Sequence, residues 1–397
     1  MTLAFSLTAL FCQNLVGFKK ISGKTGNSEC GKSRSLGRDK MKFKSFLSVG
    51  LALGLVSGLV LGTSADADAK KVRWKMQSTF GSKLPHLGTS GVRFSQNVKD
   101  ITGGDLNIKF FEPGALVPSL ECFDAVGKGA LESCWTTPGY HTAKYPALAF
   151  FTTVPFGPQI GEFMAWKWFG GGNDLKQEIY DKHNLIAFDS FAIGPETSGW
   201  FKTEITSLEQ VKGLKMRFFG LGAKVMQKMG AATQLLAGAD IYPALERGVI
   251  DATEFSMPTI DIKLGFHQIA KYNYFPGWHQ QVSVSELLMN KDAWNKLSKQ
   301  HQATIKVALG DSVMHTYAET EAKNFGGMAE MQKKHGVIVK RWPDETLAKF
   351  EKAWFEVVKE ESAKDPIFKK VADHFYDFRA KYKVWGDAQS LKGTYLK

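Results

Sequence analysis

The chain has 397 residues, of which 44% are hydrophobic, and a formal net charge of +12. Its basic residues are scattered and never form a run of five, which argues against a nucleic-acid-binding surface. The sequence contains no His-Glu-x-x-His, His-x-His or Gly-x-Ser-x-Gly pattern, so neither a zinc hydrolase nor a serine esterase is indicated. We therefore expect a binding protein and not an enzyme.

The first 69 residues have the pattern of an export leader. A lysine-flanked start at Met41 precedes an apolar run over 46–61, and alternating alanines up to Ala69 offer a small-residue cleavage site. This pattern predicts a signal peptide over 41–69, cleaved after Ala69 or alternatively after Ala67, and a gene start set too early over 1–40. Removal of residues 1–69, which hold 9 Lys/Arg and 4 Asp/Glu, leaves an exported chain with a net charge of +7.

Cys122 and Cys134 are the cysteines that remain after this cleavage. In an oxidising compartment they could form a disulfide. Because one falls on a predicted helix and the other on the strand that follows, they could equally be two buried apolar side chains. Their spacing does not match a metal-binding cysteine set.

Strands and helices alternate at short spacing in the first half of the exported chain. Strands are predicted at 72–76, 106–110 and 131–135, with helices over 84–101 and from Pro118 onward. This alternation predicts a mostly parallel sheet with helices on its faces, which we assign to lobe one, residues 70–192. A helix over 162–183, interrupted by the glycines at 170–172, follows, and a long apolar strand over 185–193 is predicted to cross from lobe one to lobe two.

The alternation repeats in residues 193–285, which we assign to lobe two. The predicted strands cover 200–201, 214–218, 232–235 and 252–255, and the segment 282–289 is predicted to cross back. Residues 286–364 are assigned to a return to lobe one and a helical region, with a strand at 337–340. The predicted fold class is therefore α/β, with two lobes joined by crossing strands, a cleft between them and a helical C-terminal region.

Arg217 ends a predicted strand and is followed by the turn Gly220-Leu221-Gly222. A planar guanidinium at a strand end suits a carboxylate, because its fork matches two oxygens. A surface arginine is the alternative. The same turn is similar to the start of a dinucleotide fingerprint, but Val225 occupies the third glycine position. We interpret the glycines as a tight strand–helix turn.

Several stretches, taken in order, resemble the solute-binding proteins of tripartite ATP-independent periplasmic (TRAP) transporters, and among these the members that bind 2-oxo acids. The stretches are Gly213-Leu214-Lys215-Met216-Arg217, Ile250-Asp251-Ala252-Thr253-Glu254, Leu264-Gly265-Phe266 and Pro276-Gly277-Trp278. The resemblance implies a two-lobed periplasmic binding protein fold in the periplasm. It also implies capture of a small organic acid, either a 2-oxo or a hydroxy acid, and its delivery to membrane permease subunits, with Arg217 holding the carboxylate.

In the 2-oxo-acid binders a sodium ion bridges substrate and protein. The resemblance makes Glu254 a side-chain ligand, Phe255 a main-chain carbonyl ligand and Gln280 a further side-chain ligand. Where the family has glutamine, this chain has Glu196, and both Glu196 and Phe255 would also contact the substrate. An additional carboxylate makes the oxygen cage more negative and suits Ca²⁺, so calcium and sodium are both candidates. Alternatively, Glu196 points away or pairs with a lysine.

The resemblance also places aromatic residues at the ligand. Tyr140 and His141 lie in a loop after a predicted strand, where the family has an aromatic cluster facing the ligand. Phe80 follows the first strand and is a second candidate, although a core role is equally consistent with its position. Phe255 replaces an expected tryptophan, and Thr259-Ile260 stand where the family often has Tyr-Asp.

Functions of two other classes are also compatible with the sequence. The chain could be a ligand-loaded sensor that docks on a receptor, or a secreted enzyme that acts on a small acid. Two neighbouring permease genes would support transport, and a sensor kinase gene alone would support signalling.

A C-terminal helix is predicted over 365–385, with Asp365 as its cap and Pro366 in its first turn. Apolar residues follow at heptad spacing, namely Phe368, Val371, Phe375, Phe378, Tyr382 and Trp385. The first three could pack on the helix's own lobe. Because the 2-oxo-acid binders form dimers by exchanging a C-terminal helix, we expect a homodimer in which 365–385 packs on the partner, and we assign 365–397 to dimerisation.

Overall fold

The computed structural model describes residues 71–389, which form two β-sheets with helices around them. The predicted leader, residues 1–69, lies outside the described residues. Among residues 71–389, no helix has both the length and the apolar character that crossing a membrane requires.

The first sheet belongs to lobe one. Its strands are β1 (Val72–Ser78), β2 (Leu106–Phe111), β3 (Ser133–Thr136), β4 (Leu185–Ile193) and β10 (Ser283–Asn290), in the order β2-β1-β3-β10-β4. β1 pairs in parallel with β2 and β3, whereas β10 runs antiparallel to both β3 and β4. The sheet is therefore mixed and not mostly parallel, because β10 returns from lobe two and inserts between two strands of lobe one.

The second sheet belongs to lobe two. Its strands are β5 (Gly199–Phe201), β6 (Lys215–Arg217), β7 (Ala232–Gln234), β8 (Ala252–Thr253), β9 (Tyr272–Phe275) and β11 (Ile338–Arg341), in the order β11-β9-β5-β8-β6-β7. β6 and β8 are parallel, and Arg217 lies beside Thr253 in their register. The strand β9 is not predicted from the sequence, because four residues between a loop and a proline are too few to show a hydrophobic period.

The helices, apart from short 3₁₀ turns, connect and cover these strands. They are α1 (Leu87–Ile101), α2 (Cys122–Gly127), α3 (Ile160–Trp168), α4 (Gly172–Asp181), α5 (Gly222–Lys228), α6 (Gly238–Glu246), α7 (Pro258–Leu264), α8 (Lys291–Asn295), α9 (Lys299–Lys333), α10 (Asp344–Lys364) and α11 (Pro366–Gln389). α1 buries Leu87, Phe94 and Val98, as its apolar period predicts. The predicted interruption between α3 and α4 occurs at Gly171, whose φ of 91° suits glycine.

The long helix α9 connects the two lobes. It packs on β4 and α1 in lobe one and on α7 in lobe two. Its 35 residues span about 52 Å at the usual helical rise, which is enough to reach both lobes. The strand β11 that follows joins the edge of the second sheet, so the segment 286–364 is divided between the lobes and does not belong to lobe one alone.

The first half of α11 packs on its own chain. Phe368, Val371 and Phe375 are buried, and the rings of Phe368 and Phe375 pack edge-on against Phe150. In contrast, the far end is open, since Trp385 is 60% exposed. This arrangement corrects the expectation that the whole of 365–385 packs on a partner, because the first three apolar positions already face aromatic residues of lobe one.

Lobe one is held together by a disulfide and by a buried charge network. The disulfide joins Cys122 on α2 to Cys134 on β3. In the network, Asp189 on β4 accepts from Lys167 at 3.0 Å and from Lys176 at 3.2 Å, and Lys176 also pairs with Glu286 on β10 at 3.3 Å. Two cations and two carboxylates balance, which is the condition under which buried charge is tolerated.

Candidate ligand and metal site

A small cavity lies between the lobes, and the empty space in and around it, open solvent included, is about 330 Å³. Residues of both lobes line it, namely Phe80, Leu87, Thr137, Tyr140, Ile193, Glu196, Arg217, Phe219, Phe255, Gln280, Ser283 and Ser285. Arg217 is the only cationic side chain among these lining residues, so the cavity offers one charged position for a carboxylate.

The lining residues follow strands or the connections between the lobes. Phe80 comes shortly after β1, and Tyr140 follows β3 in a turn that begins at Pro138. Arg217 is the last residue of β6, and Phe255 comes two residues after β8. The carboxyl ends of strands in both sheets therefore meet at the cavity, as expected for open α/β sheets.

Arg217 is buried and partly engaged with the protein. Its Nη1 donates to the Glu254 side chain at 2.8 Å and to the Glu254 carbonyl at 2.7 Å, and its Nε donates to the Leu236 carbonyl at 3.2 Å. Among the described residues, Nη2 has no hydrogen-bond partner. The guanidinium also lies 5.1 Å from the ring centre of Phe255, so it is oriented before any ligand arrives.

Several buried side-chain oxygens near Arg217 accept no hydrogen bond from the described residues. Oε2 of Glu196, Oε2 of Glu254 and Oε1 of Gln280 are all buried and have no hydrogen bond within residues 71–389. The ring Nε2 of His279 lies 3.6 Å from Glu196 and 3.4 Å from Glu254. Buried oxygens without partners cost free energy, and a hard cation takes such oxygen ligands, so these residues fit a metal ion.

The ionisation of this cluster reflects its burial. Burial and the charge of Glu254 raise the pKa of Glu196 to about 7, although His279 opposes the shift. Burial also opposes a charged imidazole, but the two carboxylates outweigh it and raise the pKa of His279 to about 9. Likewise, Arg217 and His279 lower the pKa of Glu254 despite its burial. Near pH 7 a protonated His279 therefore lies between the two carboxylates, beside the guanidinium of Arg217.

The structure brings together most of the predicted site residues. The predicted residues that line the cavity are Arg217, Glu196, Phe255, Gln280, Tyr140 and Phe80. Glu254 is not a lining residue, but it accepts a hydrogen bond from Arg217. His141 does not line it. Its ring faces Phe123 instead, because the 3₁₀ turn that begins at Pro138 directs Tyr140 and His141 to different sides.

Sequence reasoning missed His279 and Phe219. His279 stands next to Gln280 in a stretch with no paired histidine, so only its adjacency to a predicted ligand could have indicated it. Phe219 follows Arg217 by two residues, and its ring packs edge-on against Tyr140 across the cleft. Its amide donates to Oε1 of Glu254, which fixes that carboxylate from a second direction.

A profile for bacterial extracellular solute-binding protein family 7, also called DctP, matches residues 78–365. The chain belongs to this family. It is a solute-binding protein of the TRAP transporter type, and its family 7 match covers both lobes and the cavity between them. The sequence resemblance to TRAP solute-binding proteins is therefore confirmed.

Relatives whose ligands are named cover most of the chain. A protein of Nostoc sp., described as a monocarboxylate 2-oxoacid-binding periplasmic protein, is 36% identical over 330 residues, which are 83% of this chain and 90% of that protein. A TRAP solute-binding protein of Bordetella bronchiseptica, solved as a dimer with calcium and picolinate, is 32% identical with a TM-score of 0.78, covering 80% of this chain and 95% of that one.

Two further structures of TRAP periplasmic solute-binding proteins contain pyruvate together with a metal ion. The protein of Pseudoalteromonas atlantica binds sodium and pyruvate, with 30% identity and a TM-score of 0.77 over 81% of this chain and 97% of that one. The protein of Colwellia psychrerythraea binds calcium and pyruvate, with 32% identity and a TM-score of 0.76 over 81% and 98%. They confirm the predicted two-lobed fold class, and they show that similar proteins use either of the two ions predicted here.

Proposed function

We propose that this protein captures a small monocarboxylic 2-oxo acid or hydroxy acid, of the size of pyruvate, together with a calcium or sodium ion. The observation that supports this proposal is the group of buried oxygens of Glu196, Glu254 and Gln280 that accept no hydrogen bond within residues 71–389, together with the Nη2 of Arg217, which makes none there either. A guanidinium and a metal site side by side match a carboxylate whose neighbouring carbon also carries an oxygen. The ligands of the similar proteins support the same class of substrate.

Glu196, Glu254 and Gln280 would hold the ion, with the main-chain oxygen of Phe255 as the predicted fourth ligand. When bound, the ion would supply positive charge to the oxygens of the substrate. Arg217 would hold the carboxylate through Nη2 and is kept in place by Glu254. Since two carboxylates face the ion, calcium is favoured over sodium in this chain.

The rest of the cavity selects for a short substrate. Phe80, Tyr140, Phe219 and Phe255 form apolar walls, and they leave no second cationic group for another carboxylate among the lining residues. A Cβ placed on Gly139 would lie 2.1 Å from the Phe219 ring, so the lobes approach closely here. We propose that ligand binding is coupled to closure of the lobes, by a hinge at the crossing connections.

We place this capture step in the periplasm, before delivery to the membrane permease subunits of the transporter. Similar proteins are periplasmic, and the leader pattern of residues 41–69 agrees with export. Capture and closure of this kind involve no bond making or breaking, so we propose a binding role and not an enzymatic one.

We also propose that the protein is a homodimer, joined through the distal half of α11. Val384 and Trp385 are 77% and 60% exposed, and Phe355 on α10 is 52% exposed. Tyr382 borders a groove with Phe355 and Tyr376, so apolar surface extends from one helix to the next. The dimeric Bordetella protein supports this assembly.

The test is calorimetric titration of the exported form, residues 70–397, with pyruvate. We expect binding in calcium, weaker binding in sodium and none after treatment with EDTA. Native mass spectrometry of protein purified without refolding should show a retained ion and a small acid. Absence of binding for pyruvate, lactate and larger 2-oxo acids in every ion would refute the proposed function.

A further inference from the structure

Four polar side chains form a hydrogen-bonded group between the lobes, away from the cavity lining. His86, which precedes α1 in lobe one, faces Glu319 of α9 through Nδ1 at 2.9 Å and Thr259 of α7 through Nε2 at 3.0 Å. The Thr259 hydroxyl also lies 3.0 Å from Oδ1 of Asn324 on α9, and the Thr259 amide donates to the same oxygen at 3.2 Å. We call this group the His86 clamp.

The proton positions in the clamp follow from burial. Burial lowers the pKa of His86, although Glu319 opposes this effect, so the ring is neutral near pH 7. Glu319 can only accept, so Nδ1 carries the proton and donates to it, and Nε2 faces the Thr259 hydroxyl, whose single proton lies within reach of both Nε2 and Oδ1 of Asn324. Each ring nitrogen therefore has one partner, one in the α9 helix and one in lobe two.

The backbone at His86 adopts an uncommon conformation. Its φ is 63° and its ψ is −51°, and the Leu87 amide donates to the Pro85 carbonyl at 2.6 Å. This is a γ-turn of the rare type that a non-glycine residue adopts only when its surroundings hold it. The two hydrogen bonds of the imidazole provide that restraint. The same turn directs the next residue, Leu87, into the cavity wall.

In lobe two, the clamp residue Thr259 also lies next to an element of the ligand site. Thr259 is in the first turn of α7, four residues after Phe255, which lines the cavity. A Cβ placed on Gly327 of α9 would lie 2.8 Å from the Thr259 side chain, so α7 rests directly on the α9 backbone. Further along, the Gly194 amide, at the end of crossing strand β4, donates to Thr320 of α9 at 3.2 Å.

We propose that the His86 clamp ties lobe two to lobe one in the closed protein and so slows release of the ligand, with His86 and Thr259 as positioning residues. The inference rests on the proposed function for its kinetic readout. His86 holds Leu87 at the cavity, and Thr259 fixes α7, which follows Phe255. None of the four clamp residues lines the cavity, so the Glu319–His86–Thr259 series acts on geometry and not as a nucleophilic triad.

The test compares Thr259→Val, which removes the hydroxyl at nearly constant size, with Thr259→Ser, which keeps it. The probe is pyruvate in a calcium-containing buffer, followed by stopped-flow fluorescence and calorimetry. Loss of one interlobe hydrogen bond should raise the dissociation rate and the Kd about 2- to 10-fold in Thr259→Val and leave the association rate unchanged. Thr259→Ser should behave as the original protein.

A double-mutant cycle assigns the effect to the His86–Thr259 pair. His86→Asn keeps a residue that tolerates positive φ but cannot bridge both partners. Combined with Thr259→Val, it should have no larger effect on the dissociation rate than the greater of the two single changes. Additive effects, or an unchanged dissociation rate in Thr259→Val, would overturn the clamp.

A distance measurement separates failure of the clamp from failure of the proposed function. Spin labels on exposed Lys99 of lobe one and Glu246 of lobe two report the distance between the lobes without any ligand. Thr259→Val should shift the ligand-free distribution away from that of the original protein, whereas Thr259→Ser should not. Identical distance distributions in Thr259→Val and the original protein would refute the clamp. If Thr259→Val shifts the distribution but the original protein does not bind pyruvate, only the proposed ligand is refuted.

Discussion

Arg217 is the residue on which carboxylate binding most depends. Its Nη1 and Nε are committed to Glu254 and Leu236, which leaves Nη2 for the substrate. Truncation of one partner of a buried charge pair costs about 2–5 kcal/mol, so Arg217→Ala should weaken pyruvate binding about 30-fold or more. Calorimetry in calcium measures this change.

The same substitution leaves Glu254 buried without its cation, so the fold must be checked in parallel by thermal unfolding. Arg217→Lys keeps the charge but loses the planar fork, and should bind with intermediate affinity. Arg247→Ala, at an exposed position after α6, is the matched control and should bind normally. An unchanged affinity in Arg217→Ala would remove Arg217 from the site.

Glu196 controls which ion is preferred. Its replacement by glutamine removes one of two carboxylates, so Glu196→Gln should lower calcium affinity at least about tenfold and move the preference toward sodium. Ion-dependent calorimetry measures the preference, with exposed Glu345→Gln as the control. Equal calcium affinity in both variants would show that Glu196 is not a ligand.

The site should also bind calcium more tightly as the pH rises. Because the pKa of Glu196 is about 7 and that of His279 is about 9, protons on both groups oppose the ion at lower pH. Calcium affinity should therefore rise as the pH is increased from about 6 to about 9, and it should be lowest below about pH 6. In Glu196→Gln the increase in calcium affinity around pH 7 should disappear. A pH profile with the same shape as that of the original protein would show that Glu196 does not contribute to the pH dependence.

At the scale of elements, the crossing strands β4 and β10 are joined by the buried network of Asp189, Glu286 and two lysines. Asp189→Asn leaves Lys167 and Lys176 with Glu286 alone, and loss of one partner of a buried pair costs about 3–5 kcal/mol. The free energy of unfolding, measured in urea, should fall by this amount. Asp181→Asn, which removes an exposed pair with Lys291, should cost at most about 1 kcal/mol.

The network also predicts a pH dependence of stability. Burial alone would raise the pKa of Asp189, but the charges of Lys167 and Lys176 lower it below its ordinary value. The contribution of Asp189 is therefore complete above about pH 4, the unfolded value, and is lost as the carboxylate is protonated at lower pH. Asp189→Asn should lack this part of the acid dependence in urea unfolding.

For the whole molecule, the exposed end of α11 determines the assembly. Trp385→Asp together with Val384→Asp places charge on the proposed dimer surface, so light scattering should change from twice the chain mass to one chain mass with the fold intact. Truncation after Lys364 is a poorer test, because it also removes Phe368 and Phe375 from the core. A single chain mass for the unmodified protein at micromolar concentration would refute the dimer.

Much of the fold could be predicted from the sequence, because a strong hydrophobic periodicity favours the same helix or strand whatever surrounds it. The strand over 185–193 coincides with β4, and the interruption at 170–172 separates α3 from α4. By contrast, β9 and the insertion of β10 between β3 and β4 could not be predicted. Strand order depends on which distant segments pair, and no local pattern contains that information.

For the site, the order of family stretches pointed to Arg217, Glu254 and Gln280 without any geometry. Only the tertiary structure placed His279 between two carboxylates, turned His141 away from the cavity and joined His86 to Thr259. Residue type and spacing along the chain determine which chemistry is available. Which of these groups meet, and which oxygens remain without a hydrogen bond, is decided by the packing of two lobes, whose contacts join residues as far apart along the chain as His86 and Thr259.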